Sequence, residues 1–156
     1  MLRILIICTG NTCRSPMAEV LLRRKIEQAG LNEKIMVSSA GIATGGKFPA
    51  SAGALAIMRS WGLNLTNHIS RQLVPEYTEA ADLVLTMTAG HKQTVLKIAP
   101  AAAGKVYSLK EYAGADCDVA DPFGGSNQDY QACAEQIEKM LAKIWEKIVT
   151  LAGKNF

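Results

Sequence analysis

A thiol, a guanidinium and the opening of a helix share one short run, Cys8-Thr9-Gly10-Asn11-Thr12-Cys13-Arg14-Ser15-Pro16, directly after the apolar stretch Leu5-Ile6-Ile7. A strand that ends in a tight turn and feeds a helix leaves backbone N–H groups unpaired and pointing into the turn, which makes a cradle for a tetrahedral oxyanion such as phosphate. Those N–H groups, the positive helix end and the charge of Arg14 favour a thiolate, so Cys8 is expected to be largely ionised near neutral pH. A thiolate beneath a bound phosphoryl group is a nucleophile in position. Taken alone, Cys8 reads better as a small apolar residue at a strand end. The joint pattern shifts the reading: Arg14 at its spacing from Cys8, Gly10 and Asn11 where the chain must bend, the Ser15 hydroxyl after the arginine, and Pro16 where the first turn of a helix accepts it. No G-x-x-x-x-G-K-[ST] run and no G-x-G-x-x-G after a strand is present, so a nucleotide is not implied.

Holding such a loop takes a sheet edge, and the hydrophobic periodicity supplies one. Strands are predicted over residues 2–8, 35–38, 82–87 and 105–109, and helices over 16–29, 50–61, 75–81, 89–99 and 128–152. Val20, Leu21 and Leu22 are placed in the core, as are Ile137, Leu141, Ile144, Trp145, Ile148 and Leu151 of the last helix. Strands alternating with helices predict one α/β domain over residues 1–156, three layers with a central four-stranded parallel sheet and helices on both faces. Ligands of such sheets sit outside the carboxyl ends of the strands, where the Cys8 loop falls. At 156 residues and 49% apolar composition the chain suits a single core. A net charge of +3 without long like-charge blocks argues against a nucleic-acid partner. Residues 1–8 are too short for a membrane span, and the chain is expected in the cytosol with no membrane partner. The four cysteines read as thiols, since two lie in the proposed reactive loop; with two histidines far apart, no metal and no cofactor is expected. Cys117 and Cys133 have no chemical context and read as structural.

Asp121, in Asp121-Pro122-Phe123-Gly124-Gly125, is a candidate proton donor to a leaving group, although these residue types also make ordinary turns. This run, the Cys8 loop, Ser38-Ser39-Ala40-Gly41, His68-Ile69-Ser70-Arg71-Gln72 and Asp82-Leu83-Val84-Leu85-Thr86-Met87 together resemble the low-molecular-weight protein tyrosine phosphatases, in order and over roughly the whole chain. The resemblance implies a phosphatase with Cys8 as nucleophile, Arg14 as phosphoryl ligand and Asp121 as general acid, then as base for the water that hydrolyses a phosphocysteine. It also implies that Thr9, Gly10, Asn11, Thr12, Cys13 and Phe123 bind substrate, and that Ser15, Ser39 and His68 support the loop. Cys13 is placed close enough to Cys8 for a protective disulfide, or is simply a small loop residue.

Tyrosine-directed members carry an aliphatic residue where this chain has Thr12, and a Tyr after the Asp-Pro pair where this chain has Phe123-Gly124-Gly125. With Leu109-Lys110-Glu111-Tyr112, these features look like the bacterial protein arginine phosphatase branch, and the expected substrates are proteins phosphorylated on arginine, or alternatively on tyrosine. Arsenate reductases of this fold need two further cysteines in one mobile segment, a spacing that Cys117 and Cys133 do not have. Phosphocysteine relay subunits of related fold lack the loop arginine, and a non-catalytic binding module would lack Cys8 or Asp121.

Overall fold

The computed structural model describes residues 1–155. Strand β1 (Leu2–Cys8) is followed by α1 (Arg14–Gln28), β2 (Ile35–Gly41), α2 (Ala52–Ser60), α3 (Pro75–Ala80), β3 (Leu83–Thr86), α4 (Ala89–Ile98), β4 (Val106–Ser108), α5 (Leu109–Ala113) and α6 (Asn127–Asn155). The four strands are all parallel, in the order β2-β1-β3-β4. β1 is apolar on both faces, as a central parallel strand must be. Leu2, Ile4 and Ile6 pack with α1, α2, α5 and α6, whereas Leu5 and Ile7 face the cluster under α3 and α4. Leu2, Ile4, Leu5, Ile6 and Ile7 are each at most 2% exposed, and at about 1.5–3 kcal/mol per buried side chain they make β1 a rigid base for the loop that leaves its end.

The chain runs from β1 out to β2 and then returns to the other side of β1 as β3. That reversal opens a crevice at the carboxyl ends of β1 and β3, where open α/β sheets bind their ligands.

The expected architecture is present, with local differences. β2 continues three residues beyond the predicted 35–38 because Ser39, Ala40 and Gly41 pair in register with Ile6, Ile7 and Cys8, tertiary pairing overriding weak strand propensity. α1 begins at Arg14 rather than residue 16, and α6 runs from Asn127 past the predicted end at 152. The short helix α5 was not predicted; Ser108 caps it by accepting from the Glu111 N–H at 3.1 Å. On α6 the buried stripe is Tyr130, Cys133, Ala134, Ile137, Met140, Leu141, Ile144, Ile148 and Ala152, so Trp145 and Leu151 flank the core half-buried rather than filling it. Among the described residues, no helix is long and apolar enough to cross a membrane.

Candidate active site

Five residues, Thr9 to Cys13, bridge the end of β1 and the start of α1. The turn is closed by Asn11 in the left-handed region, at φ 58°, a conformation Asn tolerates better than most residues. Its side chain is fully buried and fastened on three sides. Nδ2 donates to Ser15 Oγ at 2.8 Å and to Ser39 Oγ at 2.9 Å, and Oδ1 accepts from the Arg71 N–H at 3.0 Å. The Asn11 carbonyl lies 2.7 Å from His68 Nε2. Gly41, at the end of β2, backs the loop so closely that a Cβ there would stand 2.6 Å from the Thr9 carbonyl oxygen and 3.0 Å from the Asn11 nitrogen. Cys13, at the N-cap of α1, provides no side-chain cap, so the helix end presents free N–H groups to the turn.

These bonds orient the hydroxyls behind the sulfur. An amide Nδ2 only donates, so Ser15 and Ser39 both accept from Asn11. Ser39 passes its own hydrogen to Glu19 Oε1 at 2.6 Å, and Ser15 Oγ lies 2.8 Å from Cys8 Sγ with its hydrogen available to the sulfur. The Asn11 N–H also points at the sulfur, at 3.3 Å. Cys8 is 3% exposed, and burial pushes its thiol up from the ordinary value against the pull of the Ser15 hydroxyl, the Ser15 and Asn11 N–H groups and Arg14. Burial of the sulfur thus opposes the thiolate that the surrounding donors and Arg14 favour.

Arg14 is 5% exposed and anchored at both ends of its guanidinium. Nη1 donates to the Val119 carbonyl at 3.0 Å, while Nη2 lies 3.4 Å from Thr9 Oγ1 and 3.5 Å from Asp121 Oδ2. The loop carrying Asp121 thus closes over the sheet edge where the Cys8 loop sits. Asp121 also caps its own turn by accepting from the Phe123 N–H at 3.1 Å, and its side chain is 51% exposed at the pocket rim.

A pocket of about 650 Å³ lies above the sulfur. Cys8, Thr9, Gly10, Thr12, Cys13, Arg14, Asp121 and Phe123 line it, so eight of the residues singled out from sequence face one cavity. Asn11, Ser15, Ser39 and His68 are not on its wall; they stand behind the loop and brace it. Phe123 is 74% exposed and Phe48 47% exposed, and both line the mouth.

Several participants were not legible in the sequence. Phe48 and Ser51 come from the irregular stretch between β2 and α2, which carries no periodic signal. Ser51 caps α2 and receives the Cys13 thiol at 3.2 Å, with Tyr130 Oη 3.4 Å from the same sulfur. Glu19 is hidden among the polar residues of α1. His91 opens α4 just beyond β3, and its place at a strand's carboxyl end was the available clue. All four cysteines are free thiols. Cys133 is buried in the core of α6, with burial pushing its thiol up to about 12. Cys117, expected to be structural, is instead exposed on the loop after α5, where nothing packs over it. The two do not share a segment, which removes the thiol relay that arsenate reduction requires.

Comparison with known proteins agrees with this geometry. The family model described as low molecular weight phosphotyrosine protein phosphatase matches residues 3–152. The chain is 40% identical to a protein-arginine-phosphatase of Geobacillus stearothermophilus, over 95% of this chain and 97% of that one. It is 36% identical to a low molecular weight protein-tyrosine-phosphatase of Streptomyces coelicolor, over 94% and 95%. Among solved structures, a mutant of the arginine phosphatase YwlE with a phosphorylated active-site serine superposes with a TM-score of 0.88 at 38% identity, covering 94% of this chain and 95% of that one. With nearly its whole length matched, the chain belongs to the low molecular weight phosphotyrosine protein phosphatase family.

Proposed function

We propose that this cysteine-dependent phosphatase hydrolyses phosphoarginine in proteins, with Cys8 as nucleophile, Arg14 and the loop N–H groups as phosphoryl ligands, and Asp121 as proton donor and acceptor. The observation that carries the arginine reading is Thr12. Its side chain lines the pocket beside the loop, and among the described residues its Oγ1 has only a long 3.7 Å contact, to the Cys13 sulfur. A hydroxyl so weakly committed has hydrogen-bonding capacity for a polar guanidine, whereas an aromatic phenyl ring has nothing to offer it. The Phe48 and Phe123 rings at the mouth suit a planar guanidine, which stacks on aromatic faces. The 40% identity to a protein-arginine-phosphatase points the same way.

In the proposed sequence the phosphoryl oxygens settle on the loop N–H groups and the Arg14 guanidinium, which stabilise the charge that spreads over the equatorial oxygens. Arg14 exchanges its Asp121 contact for the phosphoryl group and frees the carboxyl for the leaving group. In the reacting form Cys8 is the thiolate and Asp121 carries the proton that the leaving nitrogen takes. Cys8 Sγ then attacks phosphorus, the P–N bond breaks, and its electron pair stays on the guanidine nitrogen, which takes the proton from Asp121. The Ser15 hydroxyl, positioned by Asn11 beside the sulfur, donates to it as it becomes the anionic leaving group of the second step. There a water attacks the phosphocysteine, gives its proton to Asp121, and inorganic phosphate departs.

The test is the ratio of kcat/KM for a phosphoarginine peptide over a matched phosphotyrosine peptide, in wild type and in Thr12→Ile. Preference for phosphoarginine that reverses in the variant is expected; phosphotyrosine preferred by both proteins contradicts the arginine reading.

A further inference from the structure

His91 has no part in the sequence of steps just given, yet it is built into the site. Its residue is 6% exposed, and Nε2 lies 2.8 Å from Thr9 Oγ1, the same oxygen that accepts from Arg14 Nη2 at 3.4 Å. Nδ1 is buried and has no hydrogen-bond partner among the described residues. A buried N–H with nothing to receive it is rarer and costlier than an unused lone pair, so the ring carries its proton on Nε2 and leaves Nδ1 bare. We infer that His91 is a positioning residue for the phosphoryl site: its Nε2–H fixes the Thr9 hydroxyl oxygen, and that oxygen fixes the Nη2 edge of Arg14. The need for it follows from the proposed mechanism, on which this inference rests. Nη2 has two partners, Asp121 and Thr9, and Asp121 must leave for the departing guanidine. Thr9 is then the remaining protein partner at that edge, and His91 holds Thr9.

The ring's surroundings keep it neutral. Burial, and then the Arg14 charge from α1, lower its pKa to about 4, while Asp118 and Asp121 of the loop before α6 pull the other way. A protonated ring would place a second cation beside Arg14 and an unpaired charged N–H at Nδ1.

The experiment compares wild type, His91→Ala, His91→Gln, Thr9→Val and the His91→Ala/Thr9→Val double variant. Affinity for inorganic phosphate is read calorimetrically, and kcat and KM are read on p-nitrophenyl phosphate. His91→Ala is expected to weaken phosphate binding roughly tenfold, the scale of one hydrogen bond supporting a charged group. His91→Gln, whose amide can donate from a similar position, should recover most of that loss. Thr9→Val should reproduce it, and the double variant should be no worse than either single one. Unchanged phosphate affinity in His91→Ala, or losses that add in the double variant, overturns the inference. Should His91→Ala fail to fold, 15N spectra of the wild-type imidazole decide: a bare Nδ1 and protonated Nε2 from pH 8 to pH 5 support it, and a protonated Nδ1 or a titration near the ordinary histidine value contradicts it. A protein that prefers phosphotyrosine overturns the arginine reading while leaving these measurements able to judge His91.

Discussion

Replacing Asn11 with alanine removes the side chain that holds the loop in shape. Three side-chain hydrogen bonds go, to Ser15, Ser39 and the Arg71 N–H, and in a site with no exposure their partners are left without substitutes. At about 1 kcal/mol net for each bond, with a further 1 kcal/mol or so for holding alanine at φ 58°, the expected destabilisation is roughly 4 kcal/mol. That is a large part of the 5–15 kcal/mol typical of a domain, so urea unfolding should read it clearly. Asn11→Gly loses the same bonds but relaxes the backbone, and should be more stable than Asn11→Ala by about 1 kcal/mol. Catalysis should not follow stability: without Nδ2, the Ser15 hydroxyl loses the partner that positions it beside the sulfur, and kcat should fall in both variants. Asn11→Ala as stable as wild type, or Asn11→Gly no more stable than Asn11→Ala, would show that the strained turn is not held as described.

Asp121→Ala should slow substrates with poor leaving groups far more than those with good ones; an equal effect on both removes Asp121 as the acid. In the resting enzyme the pH midpoint for alkylation of Cys8 by iodoacetamide should lie above that of an ordinary thiol, and Arg14→Ala should move it higher still; a midpoint below the ordinary value would show that the donors on the sulfur outweigh its burial. Because the folded His91 pKa, about 4, lies below its unfolded value, the unfolded chain binds more protons between the two, and stability should fall as pH drops from 6.5 to about 4. With solvent screening at the pocket edge the loss should be on the order of 1–2 kcal/mol, and it should be absent in His91→Gln; an equal acid slope in both proteins assigns the effect to other groups.

The features that could be read from sequence were those written in local chemistry. Cys8, Arg14 and Pro16 flank one short loop, and the apolar runs of β1 and β3 announce buried parallel strands whatever surrounds them. Asp121 could be named, but its arrival 3.5 Å from Arg14 depends on where α6 packs. The end of β2 could not be foreseen, because Ser39 and Gly41 are strand residues only by virtue of pairing with β1. α5 has a local signal, since Ser108-Leu109-Lys110-Glu111 has the spacing of a capping box, but Ser108 and Leu109 also continue the apolar pattern of the strand predicted over 105–109. The burial that opposes a Cys8 thiolate was not legible, since a sequence shows which donors surround a sulfur and not how much water it has lost. His91 and Glu19 act through partners distant in sequence, Thr9 and Ser39, and no spacing rule reaches across such gaps.

The account rests on phosphorus passing from an arginine side chain to Cys8. Rapid quenching of the enzyme with a phosphoarginine-bearing protein, followed by mass analysis of the loop peptide, should find one phosphoryl group on Cys8 that forms and decays at rates compatible with turnover, while Cys8→Ser retains phosphate affinity and shows no turnover. Steady hydrolysis by Cys8→Ser, or a phosphoryl group found on another residue, would contradict it.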